Sequence, residues 1–339
     1  MKNIFSISSV LVGVMILFVS CLQDEISGNN IPDEGVVPIE FSALSGSLEV
    51  KSFDLATTVS YIQENGFKVW ASSKVGNLTS NEVFSNKGTD VAYKNTSWTY
   101  SPVRYWQPGE YTFMAVSPSS IMTEGELSYD GLTLSFSDGW NLSENQKDIL
   151  LAVTSGISGE SHVNTATVPE SVPLDFKHQL SLIKFQAKNV DSKEVAVAVT
   201  GIRISGNHKT ATAMSYQLSD SSVDWTLSGE TSDYQSLALP DPNTTSISIP
   251  KNAYSDITSE ILVFPEKCED LIVEVTFTDT HNGATSVANV KSATIPTDWK
   301  AGKQYIYKIN ISFDTISIDV PTVVDWTEGG NIENDDIEM

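Results

Sequence analysis

Cysteine is scarce in this chain, with Cys21 and Cys268 the only two among 339 residues. A disulfide framework of the kind that stabilises small secreted domains is therefore excluded. Stability has to come from packing. A chain of this length exceeds what one hydrophobic core usually serves, so two domains are expected.

Basic residues are also scarce. Lys and Arg number 20 against 43 Asp and Glu, which gives a formal net charge of -23 at pH 7. Binding of nucleic acid requires a basic face, so the composition predicts no nucleic-acid partner. The acidic residues are spread along the chain apart from a denser group at 333–338, and we interpret them as a source of solubility and mutual repulsion at a crowded surface.

Motifs of the common enzyme classes are missing. The sequence has no Gly-x-Ser-x-Gly, no His-Glu-x-x-His, no phosphate-binding glycine loop, no Cys-x-x-Cys and no EF-hand spacing. Carboxylate pairs such as Glu124 and Glu126 are abundant because the chain is acidic, so they do not indicate a glycosidase pair. We therefore predict that the protein is not an enzyme and has no catalytic residue, cofactor or metal site.

An apolar run follows Lys2 and extends over residues 10–19. It is too short to span a bilayer comfortably and has the layout of a secretory signal peptide. The string LFVSC (17–21) resembles a bacterial lipobox, in which a small residue precedes a cysteine that is acylated before cleavage. We therefore predict that residues 1–20 are removed and that Cys21 carries the acyl chains, palmitate included, that hold the protein at the outer membrane. The alternative is an ordinary signal peptide with an incidental cysteine.

Short apolar or alternating runs rich in Val, Ile, Thr, Tyr and Trp make up most of the remaining chain. Such runs predict β-strands, here at 38–44, 67–72, 111–116, 132–136, 149–153, 180–187, 202–205, 247–250, 261–264, 271–278, 305–313 and 316–320. Residues 57–64 alone have a faintly helical spacing. Strands without intervening helices predict packed antiparallel sheets, most economically an all-β pair of sandwich domains in tandem.

Composition also suggests where these domains begin and end. Residues 21–36 are polar and aperiodic and contain Gly and Pro, which predicts a flexible tether. A Gly- and Ser-containing stretch at 154–172 predicts the boundary between an N-terminal domain (37–172) and a C-terminal domain (173–330). An acidic tail, 331–339, completes the chain.

Four segments resemble those of a single bacterial family. They are WTYSPVRYWQPGEYTFMAVSP (98–118), QKDILLA (146–152), LDFKHQLSLIKFQAKN (174–189), and WKAGKQYIYKINISF (299–313) with VVDWTEGG (323–330). In order, they are similar to the aromatic hallmark, the end of the first domain, the opening of the second domain and the closing strands of the fimbrillins. These are the Mfa-like, type V pilin lipoproteins of Bacteroidales.

The resemblance implies both a fold and a role. The fold would be two transthyretin-like, Greek-key β-sandwiches. The role would be that of a structural or adhesive subunit of a fimbria, exposed on the outer membrane and delivered there as a lipoprotein. It also implies assembly with other pilin subunits by strand exchange, in which a trypsin-like surface protease removes the N-terminal strand and another subunit's strand fills the groove.

Two segments of this chain would take part in that exchange. The removable strand is 37–44. The family's cleavage site is commonly an Arg, but Lys51 is the only basic residue between the lipobox and Lys68, so Lys51 is the predicted site and an ordinary loop lysine the alternative. The donor strand is 313–324. Because only an acidic segment follows it, a tip subunit that accepts a strand without giving one is the alternative.

The aromatic segment 98–118 has two interpretations. A carbohydrate-stacking platform would make the protein a surface glycan-binding lipoprotein, with host or bacterial ligands; its members would be Tyr100, Tyr105, Trp106, Tyr111 and Phe113. Aromatic residues at alternate strand positions beside a Pro-Gly turn are more often core residues. We predict a core position for Trp106 and Phe113, and that Trp326 seals the closing strands.

The histidines give little indication of a site. No second ligand stands at a metal-like spacing from His178, so we predict a packed, hydrogen-bonded side chain for it. His162, His208 and His281 lie in polar contexts and predict nothing further.

Overall fold

The computed structural model describes residues 37–45, 59–76, 78–80, 83–85, 87–121, 124–128, 131–142, 146–163, 170–191, 195–205, 209–229, 234–281, 284–312 and 315–326. All of them belong to one unit of the chain, Val37–Met339. Cys21 and Lys51, the predicted acylation and processing sites, lie outside the described residues, as do the signal peptide, the tether and the acidic tail.

Strands account for most of the described chain. They are β1 (Phe41–Ser45), β2 (Phe67–Val75), β3 (Leu78–Ser80), β4 (Thr89–Lys94), β5 (Ser97–Thr99), β6 (Glu110–Ser117), β7 (Glu124–Leu127), β8 (Gly131–Asn141), β9 (Leu150–Ser158), β10 (Val172–His178), β11 (Ser181–Asn189), β12 (Ala196–Ser205), β13 (Thr210–Gln217), β14 (Val223–Ser228), β15 (Tyr234–Ser236), β16 (Ile247–Ile249), β17 (Ser255–Asp256), β18 (Ile261–Val263), β19 (Lys267–His281), β20 (Ala284–Thr285), β21 (Asn289–Asp298), β22 (Lys303–Ile311), β23 (Ile316–Ile318) and β24 (Thr322–Asp325). The all-β prediction is confirmed, and each predicted strand region contains a strand.

Among the residues that the structure describes, helical structure is limited to short segments. These are α1 (Val59–Asn65), which overlaps the faintly helical region predicted at 57–64, α2 (Gly159–Val163) and a 3-10 turn (Ser119–Ile121). Within the part of the chain that the structure describes, no helix has the length and apolar character needed to cross a bilayer.

The first sheet has eight strands in the order β1-β10-β9-β6-β2-β4-β5, with β3 paired to β2. β1 is parallel to β10, and the other pairs are antiparallel. Alternate residues of the central strands face opposite sides of a sheet, and both sides are buried here. In β6, Phe113 faces one core while Met114 faces another.

Three hydrophobic cores stabilise the fold. The N-terminal core covers one face of the first sheet and includes Phe67, Trp106 and Phe113. The middle core lies on the opposite face, beneath a four-stranded sheet in the order β14-β13-β8-β7, and includes Trp70 and Leu134. The C-terminal core consists of residues from two six-stranded sheets, one built on β11 and β22 and the other on β12 and β19.

Hydrogen bonds connect the two predicted domains. β10, with which the predicted C-terminal domain begins, pairs with β1 and β9 in the first sheet. β13 pairs with β8 along most of its length. Strands are thus hydrogen-bonded across the predicted boundary at 172/173. The boundary and the tandem Greek-key arrangement remain predictions.

Candidate functional site: the N-terminal strand and its groove

The N-terminal strand, residues 37–45, is hydrogen-bonded on both sides. On one side, the Ile39 N–H donates to the Arg104 carbonyl at 2.8 Å, and the Trp106 N–H donates to the Val37 carbonyl at 2.9 Å. On the other side, the Val172 N–H donates to the Glu40 carbonyl at 2.7 Å. From there β1 runs parallel to β10, in a register that places Phe41 opposite Val172. The first residues of the strand therefore pair with residues 104–106, and the remainder pairs with β10.

The sequence of this strand explains how it packs. Ile39, Phe41 and Ala43 are 1%, 6% and 9% exposed, whereas Glu40 is exposed and Ser42 is half-buried. Because strand side chains alternate between faces, the three apolar residues point together into the N-terminal core. The strand predicted from sequence at 38–44 is confirmed.

Phe41 occupies the centre of an aromatic cage. Its ring centroid lies 5.8 Å from that of Phe67, 6.0 Å from that of Phe84, 5.6 Å from that of Tyr100 and 6.0 Å from that of Phe113. The contacts with Phe67 and Phe113 are edge-to-face, an arrangement that adds to the free energy gained by burying the ring. Phe41 is therefore the principal side-chain anchor of the strand.

Tyr100 links this cage to the strand backbone. Its hydroxyl donates to the Ile39 carbonyl at 2.7 Å and accepts from the Arg104 N–H at 3.3 Å. Burial raises the pKa of Tyr100 to about 12, so the phenol keeps its proton and remains a donor at any physiological pH. Removal of the strand would leave this half-buried donor without its Ile39 acceptor.

The other aromatic residues of segment 98–118 are mostly buried. Trp106, Tyr111 and Phe113 are fully buried, which confirms the core prediction for Trp106 and Phe113, whereas Tyr105 is exposed. The Trp106 ring stacks against His162, with ring centroids 4.1 Å apart. The sequence did not predict this contact, because His162 stands in a polar context far along the chain.

His178 is packed and hydrogen-bonded, as predicted. Its Nδ1 lies 2.5 Å from Oδ2 of the buried Asp148, and its ring stacks on Trp326 with centroids 3.8 Å apart. Burial raises the pKa of Asp148 even though the neighbouring His178 acts in the opposite direction. Trp326 is itself buried, and its backbone N–H donates to the Gly302 carbonyl at 2.8 Å, which confirms that it seals the closing strands.

The predicted donor strand is paired within its own chain. β23 and β24 both run antiparallel to β22. Ile316 and Ile318 are half-buried and pack on the C-terminal core, but Val320 is 90% exposed. Phe313, the first residue of the predicted donor, lies outside the described residues.

A cleft of about 820 Å³ lies beside His178 and Trp326. Trp225, Lys177 and Lys300 also line it. Among the described residues, those of the cleft included, no group of three or more His, Cys, Asp and Glu side chains is arranged to hold a metal ion.

Comparison with known proteins identifies the family. A family model described as fimbrillin-like matches residues 56–326. A fimbrial protein of Bacteroides vulgatus is 18% identical, with 86% of this chain and 99% of that chain covered and a TM-score of 0.62, which shows that the two share a fold.

Two proteins assigned to cell adhesion align less closely, with TM-scores of 0.49. The one from Bacteroides uniformis is 17% identical, with 87% of this chain and 100% of that chain covered. The one from Bacteroides ovatus is 15% identical, with coverages of 86% and 98%. None of the curated protein sequences compared with the chain matches it. Because the fimbrillin-like model spans most of its length, the chain belongs to the fimbrillin-like family.

Proposed function

We propose that this protein is a structural or adhesive subunit of a type V pilus, and that it accepts a strand from another subunit after its own N-terminal strand is removed. The proposal is based on how residues 37–45 are held. They are hydrogen-bonded to residues 104–106 and to β10, and one face of the strand is buried. Membership of the fimbrillin-like family supports the pilus role and a location at the cell surface.

Removal of the strand would leave a groove that favours a replacement strand. The Arg104 carbonyl and the N–H groups of Trp106 and Val172 would lose their partners. A buried backbone group without a partner costs about 1–3 kcal/mol. Exposing the apolar surface beneath Ile39 and Phe41 would add to this cost. Such an edge invites pairing with another chain, which is the physical basis of strand addition.

Delivery and anchoring follow from the N-terminal sequence. We propose that the protein is a lipoprotein acylated at Cys21, surface exposed on the outer membrane, and released from its anchor by cleavage after Lys51. The role is structural and calls for no catalytic residue or cofactor. Whether the subunit forms the stalk or a tip depends on whether its C-terminal strand is donated in turn.

A protease experiment tests this proposal. The purified protein would be treated with a Lys-tolerant, trypsin-like surface protease together with partner pilins, and heat-resistant oligomers would be sought by electrophoresis. We expect oligomers for the wild type and for Lys94→Ala, a control at an exposed lysine, but not for Lys51→Ala. Oligomers that form equally well with Lys51→Ala would contradict cleavage at that site.

Saccharide binding is a second candidate, favoured by the cleft of about 820 Å³ beside Trp326. A cleft of this volume takes a small ligand. Its lining combines Trp225 with cationic and anionic groups, among them the ion-paired Lys300 and Asp298, which would offer a polyhydroxylated ligand a ring face as well as donors and acceptors. Titration with neutral oligosaccharides, followed by tryptophan fluorescence, tests it. We expect Lys300→Ala to weaken any binding and Lys94→Ala to leave it unchanged, and a lack of response to every sugar would remove this candidate.

A further inference from the structure

The groove that holds the N-terminal strand has a side-chain pattern of its own. Resting on the strand exchange proposed above, we infer that it selects a donor strand from a different subunit. That donor would carry a large aliphatic, an aromatic and a small apolar side chain at successive alternate positions. The chain's own C-terminal strand does not fit this pattern, so the subunit does not polymerise with itself.

The residues that now fill the groove define the pattern. Ile39, Phe41 and Ala43 are the inward-facing residues, and all three are buried in the N-terminal core. A donor strand has the same two-residue period, so its inward residues must match these three in order. At the positions of Ile39 and Ala43, the donor needs only an apolar side chain of similar size.

The middle position is the selective one. Four aromatic rings lie within 6.0 Å of the Phe41 centroid. An aliphatic side chain at the Phe41 position would make no ring–ring contacts and would leave part of the cage empty. An aromatic residue at this position therefore contributes more to donor affinity than either of its neighbours.

The apolar face of the C-terminal strand lacks that residue, because Phe313, the aromatic residue at its start, is out of phase with that face. Its alternating apolar side chains are Ile316, Ile318 and Val320, none of them aromatic. It is also in use, because β23 and β24 pair with β22 and the two isoleucines pack on the C-terminal core. The side-chain pattern of the C-terminal strand and its pairing with β22 thus each indicate that the donor comes from a different subunit.

Peptide exchange tests the inference on the folded protein. A specific protease site inserted at Lys51, within the segment 46–58, would allow the chain to be cut after folding, so that the N-terminal fragment can be displaced by fluorescent nine-residue peptides. The reference peptide is 37–45, and the matched control is its Glu40→Ala version, changed at an exposed position. The test peptides are Phe41→Leu and the chain's own 314–322, which aligns Ile318 with Phe41.

We expect the reference and Glu40→Ala peptides to bind equally. Phe41→Leu should bind on the order of 10-fold more weakly, and 314–322 on the order of 100-fold more weakly. Ile318→Phe in the 314–322 peptide should recover much of the loss. Equal binding of Phe41→Leu, or of unmodified 314–322, would overturn the inferred selectivity while leaving strand exchange intact. If the reference peptide itself does not bind, strand exchange fails and the selectivity falls with it.

Discussion

The two ends of the described chain are both strands, but they are held in different ways. Residues 37–45 are hydrogen-bonded on both sides and bury Ile39 and Phe41 almost completely. β23 and β24 bond to β22, and Val320 is left 90% exposed. Loss of the first strand would open a core, whereas loss of the second would uncover a less deeply packed edge. The N-terminal strand is therefore the one whose removal would have to be compensated, as the proposed strand exchange requires.

The largest expected effect comes from emptying the aromatic cage. Phe41→Ala should lower the free energy of unfolding by about 3–5 kcal/mol, since a buried ring is lost and a cavity remains. Val320→Ala, at the exposed C-terminal position, should change it by less than about 0.5 kcal/mol. Urea unfolding followed by tryptophan fluorescence measures both. Similar values for the two variants would break the contrast between the ends.

Trp326 is where the C-terminal end is best anchored. Trp326→Ala should cost about 3 kcal/mol, because a buried ring stacked on His178 is removed. The contrast between the ends also predicts that this variant leaves displacement of the N-terminal fragment by the 37–45 peptide unchanged. Faster displacement would show that the two ends are coupled.

The hydrogen bond from Tyr100 to the strand backbone contributes less. Tyr100→Phe keeps the ring in the cage but removes the hydroxyl that donates to the Ile39 carbonyl. We expect a loss of about 0.5–1.5 kcal/mol in urea unfolding. A loss as large as that of Phe41→Ala would place the anchor in this hydrogen bond and not in the ring of Phe41.

A pH effect is expected at Asp148, the buried carboxyl hydrogen-bonded to His178. Burial raises the pKa of Asp148, so the folded chain keeps this proton at pH values where the unfolded chain, with a carboxyl pKa of about 3.9, has lost it. The contribution of this group to stability therefore falls as pH rises above about 4. Asp148→Asn cannot ionise and should make this fall shallower. Urea midpoints from pH 4 to 7 compare the two proteins, and equal slopes would contradict the assignment.

Much of the fold was predictable because burial left a pattern in the sequence. Strands such as β6 and β11 have nearly continuous apolar runs, since both faces are covered. β21 was missed because its buried residues are few, Ile295 and Thr297 among mostly exposed polar ones. β13 was missed because a bulge between Ala211 and Ala213 breaks its alternation.

The site was predictable only in part, for a physical reason. The short apolar run at 38–44 predicted the N-terminal strand, but not its partners. β10 is about 130 residues away, and its parallel pairing with β1 depends on tertiary contacts that no local pattern encodes. The same holds for Phe84 in the cage and for the stacking of His162 on Trp106.

The mass of the protein recovered from assembled pili tests the exchange most directly. We predict a chain that begins at Ser52, without Cys21 and without residues 37–45, in heat-resistant association with another subunit. A chain that begins at an acylated Cys21 and keeps residues 37–45 within such assemblies would contradict it.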